Sequence, residues 1–168
     1  ISSIYFGGGT PSLLSLKDIE SLIQNLHKQF AINPDAEVTL EANPDDVTED
    51  FLSGWKTAGI NRLSMGVQSF HEEELNWMNR AHNSRQAEES IRLVLKHFQN
   101  LTIDLIYGSP LLTDAMWEQN VAKAIDYGIP HLSCYALTIE EKTPLHKHIS
   151  LQQKEAIDEE KQARQFLL

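Results

Sequence analysis

The sequence predicts an α/β protein built around a parallel sheet. Strand-like runs alternate with helix-like runs five times along the 168 residues. Gly, Pro or Asn breakers stand at the strand ends, as in Gly7-Gly8-Gly9, Asn43-Pro44-Asp45 and Gly108-Ser109-Pro110. No long linker or low-complexity stretch interrupts the series, and the length suits one domain with a real core. Strands alternating with helices imply parallel pairing through right-handed crossovers. In such sheets, whether barrel or doubly wound, ligands bind at the C-terminal strand ends.

Each element follows from pattern. Ser3 to Phe6 is a β-rich run closed by three glycines. Ser15 is an N-cap with Asp18 at N3, and Leu16, Ile19, Leu22, Ile23, Leu26 and Phe30 then recur at helical spacing. Glu37 to Ala42 is the second strand. Thr48 caps a short helix with Phe51, Leu52, Trp55 and Ala58 on one face, and Gly59 ends it. Arg62 to Val67 alternates as a third strand. Two helices follow, roughly Glu72 to Asn79 and Arg85 to Phe98. Leu101 to Tyr107 is the fourth strand. Thr113 opens a helix carrying Met116, Trp117, Val121, Ala124 and Ile125, which Gly128 closes. His131 to Leu137 is the fifth strand, and a final helix is expected over about Leu151 to Leu168.

Composition narrows the function classes. Fourteen basic against 24 acidic residues give a formal charge of −10. Such a surface disfavours nucleic acid and anionic lipid as partners. The acidic residues are spread along helices, where solvated faces are the ordinary reading. No apolar run approaches the ~18 residues of a membrane span, and Ile1 to Phe6 read as a strand, not a signal peptide. The one cysteine, Cys134, excludes a disulfide framework and a cysteine-based metal site within the chain, and it reads as a small core residue.

The candidate chemistry gathers at strand ends. Three glycines after a strand let backbone N–H groups approach an anionic or zwitterionic ligand, and Thr10 adds a hydroxyl; the ordinary alternative is a flexible turn. No Gly-Lys-Ser/Thr follows, so this is not a Walker loop. Glu41 could take a ribose diol or be satisfied by loop N–H groups. Gln68 offers a donor and an acceptor at the third strand's end, or is a polar loop residue. Arg80 could pair with a carboxylate, or be a solvated arginine. Asp104 lies within an apolar strand and needs a partner. Alternation turns it toward the lumen of a barrel, or into a buried salt bridge. His82, His146 and His148 could bind a metal or haem, but surface positions are the ordinary reading. Trp55, Trp77 and Trp117 read as packing residues.

Taken in order, these motifs resemble one family. They are Tyr5-Phe6-Gly7-Gly8-Gly9-Thr10-Pro11-Ser12, Leu40-Glu41-Ala42-Asn43-Pro44-Asp45, the run Gly59 to Phe70, the run Ile103 to Pro110, and Leu132 to Glu140. Together they resemble the radical S-adenosylmethionine (SAM) family of oxygen-independent coproporphyrinogen III oxidases and their haem-chaperone relatives. The likeness covers essentially the whole chain. It implies a partial TIM barrel, with residues 1–168 supplying about five of its six βα units, from the second strand to the helix after the sixth. A start at Ile1 instead of Met and an end at Leu168 fit the expectation of an internal fragment, inactive by itself.

The resemblance also implies cofactors and roles. In this family, three cysteines spaced C-x3-C-x2-C hold a 4Fe–4S cluster that SAM chelates, and reduction yields a 5′-deoxyadenosyl radical. The cluster is expected only in a full-length parent, because this chain lacks those cysteines. Gly8, Gly9 and Thr10 would hold the amino and carboxylate end of SAM, Glu41 its ribose, and Ala136 would lie near the adenine. Gln68, Arg80 and Asp104 match positions that contact a second SAM. The segments around Glu41 and Leu132 resemble the haem-chaperone branch, which binds haem and passes it to an acceptor protein. The alternative is a true oxidase that decarboxylates coproporphyrinogen III. The expected ligands are SAM with haem or a porphyrinogen, the expected partner a haem acceptor, and the expected compartment the cytoplasm. The ordered motifs speak against an unrelated βα-barrel enzyme binding phosphate at the triple glycine.

Overall fold

Five strands form one parallel sheet in sequential order: β1 (Ser3–Phe6), β2 (Glu37–Ala42), β3 (Arg62–Gln68), β4 (Leu101–Tyr107) and β5 (His131–Ala136). The computed structural model describes residues 1–140, 142–151 and 155–168. The helices are α1 (Leu16–Gln29), α2 (Glu49–Ala58), α3 (Glu72–Trp77), α4 (Ser84–His97), α5 (Asp114–Asp126), α6 (Pro144–Ser150) and α7 (Glu159–Phe166). The expected α/β fold with sequential parallel strands is therefore observed.

Local chemistry sets the helix ends. The Ser15 hydroxyl accepts from the Asp18 N–H, Thr48 from Phe51 and Thr113 from Met116. Asn83 and Gln86 form a reciprocal capping box at α4. Gly59 ends α2 in the left-handed region, at φ 107°.

Alternation divides each central strand between two faces. Leu40, Leu63, Met65, Leu101, Ile103 and Leu105 are fully buried and pack, with Ile19, Leu52, Trp55, Ile91 and Trp117 of the helices, into one apolar core. The opposite, concave face is polar: Glu37, Thr39 and Glu41 on β2, Arg62, Ser64 and Gly66 on β3, and Thr102 and Asp104 on β4. Arg62 ties its lower half together. It donates to Thr39 Oγ1 at 3.2 Å and Thr102 Oγ1 at 2.5 Å, and it lies 3.6 Å from Glu37.

Several expectations need correction. Cys134 is exposed, because β5 is the outermost strand of the sheet among the described residues. Leu22, Phe30 and Ile125 also face solvent, since each lies beyond the stripe its helix lays on the sheet. Glu74 is fully buried instead of solvated. Its carboxylate takes the Ser109 hydroxyl, and burial raises its pKa. His82 is a buried residue, not a surface one. The expected C-terminal helix is present only over α7, and α6 is a helix that the sequence pattern did not indicate. Residues 152–154 of that expected helix lie outside the described residues. No helix among the described residues is long and apolar enough to cross a membrane.

Candidate functional site

The C-terminal strand ends enclose a cleft of about 220 Å³ lined by Gly9, Thr10, Glu41, Gln68, Arg80 and Asp104, together with Asn43, Ser64 and Gly66. Six of the eight residues singled out in the sequence thus meet at one place. Gly8 adjoins it through its N–H bond to Glu41. Ala136 does not line it: it ends the edge strand β5, exposed and paired with Tyr107.

Glu41 sits near the end of β2 with both oxygens engaged. The Tyr5 hydroxyl donates to Oε1 at 2.9 Å, and the Gly8 N–H donates to Oε2 at 3.0 Å. Gly8 and Gly9 have φ of 80° and 62°, which turns the chain through the left-handed region after β1. Their Cβ positions face open space, so the backbone there is accessible. A carboxylate has about four acceptor sites, so Glu41 retains capacity for a ligand diol.

Asp104 lies on the concave face of β4, with Ser133 of β5 directly beside it in the sheet register. Its pKa is pushed up to about 6, first by burial and then by the Glu41 carboxylate; the Ser133 and Ser64 side chains and Arg62 pull it partly back. Oδ1 is buried without a hydrogen-bond partner. Burial, with Glu41 as a lesser cause, also raises the Tyr5 pKa.

Arg80 enters from the loop between α3 and α4. Its Nη2 donates to Asn43 Oδ1 at 3.1 Å, while its Nε is buried and unpartnered. Burial lowers its pKa, and Asp45 offsets this only in part. It forms no ion pair within 4.0 Å among the described residues. Gln68 ends β3 with φ 67°, where the register with β4 shifts between Met65 and Gln68. A non-glycine residue in that region at a strand mouth is a common mark of a functional site.

Sequence reasoning did not single out Tyr5, Asn43, Ser64, Gly66 or Ser133 as site residues. All five stood in the quoted motifs, but none was given a role there. The two serines become visible only when the strand register sets them beside Glu41 and Asp104. His82 belongs to the same region, with its Nε2 3.0 Å from Val67 O. Arranged this way, two carboxylates and one guanidinium suit a ligand that carries cationic groups, a carboxylate and hydroxyls.

Comparison with known proteins shows the family and the fold. Residues 1–124 match the radical SAM superfamily. The heme chaperone HemW of Haemophilus influenzae is 38% identical over 144 residues, which cover 85% of this chain and 38% of that protein. HemW of Mycobacterium tuberculosis is 33% identical over 169 residues, covering 100% of this chain and 43% of that protein. The chain therefore spans about two-fifths of the length of these curated relatives. Among solved structures, the coproporphyrinogen III oxidase HemN of Escherichia coli superposes with a TM-score of 0.74 at 28% identity, over 91% of this chain and 39% of that one. Elp3 of Methanocaldococcus infernus, at 16% identity, shares the fold with a TM-score of 0.77, over 90% of this chain and 40% of that one. A polar cleft at the mouths of sequential parallel strands, matched in sequence over most of its length, places this chain in the radical SAM superfamily, among the relatives of HemW and HemN.

Proposed function

We propose that the cleft binds SAM and that the whole protein is a haem chaperone built on a radical SAM scaffold. The observation that carries the SAM reading is the half-buried Arg80, with its orphan Nε, facing the same cleft as the Glu41 and Asp104 carboxylates. SAM brings a sulfonium and an ammonium for the carboxylates, a carboxylate for a guanidinium, and a ribose diol. In this reading Gly8, Gly9 and Thr10 hold the amino-acid end, Glu41 takes the ribose hydroxyls, and Ala136 approaches the adenine. Gln68, Arg80 and Asp104 receive a second SAM.

SAM bound to a reduced cluster supplies radical chemistry in this superfamily. The chain's own residues fit SAM but not the cluster, since Cys134 is its one cysteine and a 4Fe–4S cluster takes several thiolates. We assign the cluster ligands to residues of the whole protein outside these 168, and the five βα units to the second through sixth of the family barrel. Haem with a haem-acceptor protein, and a cytoplasmic location, complete the reading; the 33–38% identity to HemW proteins supports it.

Titration of SAM into the full-length protein tests the site. Glu41→Ala should weaken binding by roughly 1.5–3 kcal/mol through lost charge-assisted hydrogen bonds. Unchanged affinity in a folded variant with its cluster intact would remove the ribose assignment. The likeness to HemN favours a second reading, an oxidase. Haem titration followed at the Soret band, beside an anaerobic assay of coproporphyrinogen III decarboxylation, separates the two.

A further inference from the structure

His82 is almost wholly enclosed, with 3% of its surface exposed, although it stands in the loop between α3 and α4. Its Nε2 lies 3.0 Å from the Val67 carbonyl. A carbonyl only accepts, so Nε2 carries the proton. The same carbonyl accepts the Ser69 N–H at 2.8 Å. Between these two residues stands Gln68, with φ 67°. Val67 to Ser69 is thus a three-residue turn of the rare, strained hand, the kind that persists only when its surroundings hold it.

Two side chains do the holding. Asn120 of α5 accepts the Phe70 N–H at 2.9 Å and donates to Ser69 Oγ at 3.1 Å, which fixes the exit of the turn. His82 fixes its entry. The imidazole also reaches the turn after β2, where Nδ1 lies 3.8 Å from Asp45 Oδ1, and Nδ1 has no hydrogen-bond partner. Through Nε2 the ring therefore ties the mouth of β3 to the loop that carries Arg80, two residues upstream, while its Nδ1 only faces the turn after β2.

The space between these groups is tight. A Cβ at Gly66 would stand 2.8 Å from Gln68 Nε2 and 3.5 Å from Arg80 Nη2, so the amide and the guanidinium flank one bare stretch of backbone in the cleft. Any relaxation of the turn would move Gln68, and any shift of the loop would move Arg80.

We propose that His82 is a positioning residue for the cleft: through Val67 O it holds the strained turn at Gln68, and through its loop it presents Arg80 to the carboxylate of the second SAM. This rests on the SAM reading of the cleft. His82 touches no ligand itself. What it supplies is a fixed N–H donor at one point, and another side chain that places a donor there supplies the same.

The test compares His82→Leu with His82→Gln in the full-length protein, using SAM and 5′-methylthioadenosine as probes. Gln places an amide N–H near the position of Nε2, while Leu fills the space without a donor. His82→Leu should weaken binding of the second SAM about tenfold, the equivalent of one lost hydrogen bond, and leave the first unchanged. His82→Gln should stay within about threefold of wild type, a change of under one such bond. Methylthioadenosine, which lacks the amino-acid carboxylate, should bind all three proteins alike. If the Leu variant does not fold, His82→Asn, too short to reach Val67 O, takes its place with the same expectation. Equal affinity for the second SAM in wild type and the donor-free variant would overturn the proposal, as would equal losses in that variant and His82→Gln. Wild type that binds SAM while the variants behave alike removes only His82's role. Wild type that binds no SAM removes the reading of the cleft and this inference with it.

Discussion

The Tyr5 hydroxyl donates to Glu41 Oε1 at 2.9 Å, and this bond joins the mouths of the neighbouring strands β1 and β2. The other oxygen takes the Gly8 N–H, so one carboxylate fixes both a strand end and the glycine turn beyond it. Glu41 is therefore oriented before any ligand arrives, and preorganised polar groups bind without the penalty of ordering them.

Removal of that orientation has a definite signature. Tyr5 is 55% exposed, so Tyr5→Phe should cost only about 0.5–1 kcal/mol of stability. SAM affinity of the full-length protein should fall by more than the stability change alone suggests, because Glu41 loses its fixed rotamer. Urea denaturation beside SAM titration checks this. Unchanged affinity would show that the Gly8 N–H orients Glu41 by itself.

Gly7 completes the same arrangement. A Cβ there would stand 2.7 Å from the Tyr5 ring and 2.9 Å from Glu41 Oε1. Both neighbours are side-chain ends and can move, but only by breaking their mutual bond. Gly7→Ala should therefore cost roughly 1–2 kcal/mol by overpacking and impair SAM binding more than Tyr5→Phe does. A crystal structure of the variant should show the Tyr5–Glu41 bond broken. An intact bond would sink the argument.

These contacts show what the sequence alone reveals and what it conceals. The bounds of β2 and β4 follow from alternation and breakers, and alternation also turns Asp104 to the concave face. Tyr5 and Ser64 carry no such signal, because a hydroxyl acquires a role only when strand register supplies its neighbour. His82 resembled a surface histidine since its burial depends on the β3 turn, a contact 15 residues away in sequence. Leu22 and Ile125 kept helical spacing yet face solvent, because periodicity defines a stripe but not its width. The exposure of Cys134 follows from sheet position, which composition does not encode.

Asp104 gives the cleft a pH dependence. Its carboxyl moves from 3.8 in the unfolded chain to about 6 in the folded one. Between those values the folded state binds more proton than the unfolded state. Stability therefore declines as pH rises through this window, and the loss is complete above it. Asp104→Asn removes the charge while its amide oxygen still accepts hydrogen bonds. The variant should be more stable than wild type at pH 7.5 by roughly 1–2 kcal/mol, a figure discounted for water access, with the difference shrinking toward zero at pH 4. Urea denaturation at the two pH values measures it. A difference that does not change with pH would remove the assignment.

Gln165 anchors α7 over the mouth of β4. Its side chain is buried: Oε1 accepts the Gly108 N–H at 2.8 Å, and Nε2 donates to Leu112 O and Asp114 Oδ1, each at 3.1 Å. Its own carbonyl accepts from the Trp117 indole at 3.0 Å, and Lys161 one turn earlier donates to Ser109 O and Pro110 O. One side chain thus satisfies backbone groups that no helix or strand covers. Gln165→Ala would leave the Gly108 N–H and the Leu112 carbonyl unpaired, at roughly 2–4 kcal/mol for the two. α7 should then open locally, with faster hydrogen exchange across Glu159–Phe166 and earlier tryptic cleavage after Lys161 and Arg164. Gln165→Glu should do the same at neutral pH, since its second oxygen would face the Leu112 carbonyl and the Asp114 carboxylate. Protonation restores a donor at that position, so the Glu variant should recover protection as pH falls while the Ala variant does not. Equal exchange in α7 for all three proteins would show that Lys161 and the Trp117 contact hold the helix without Gln165.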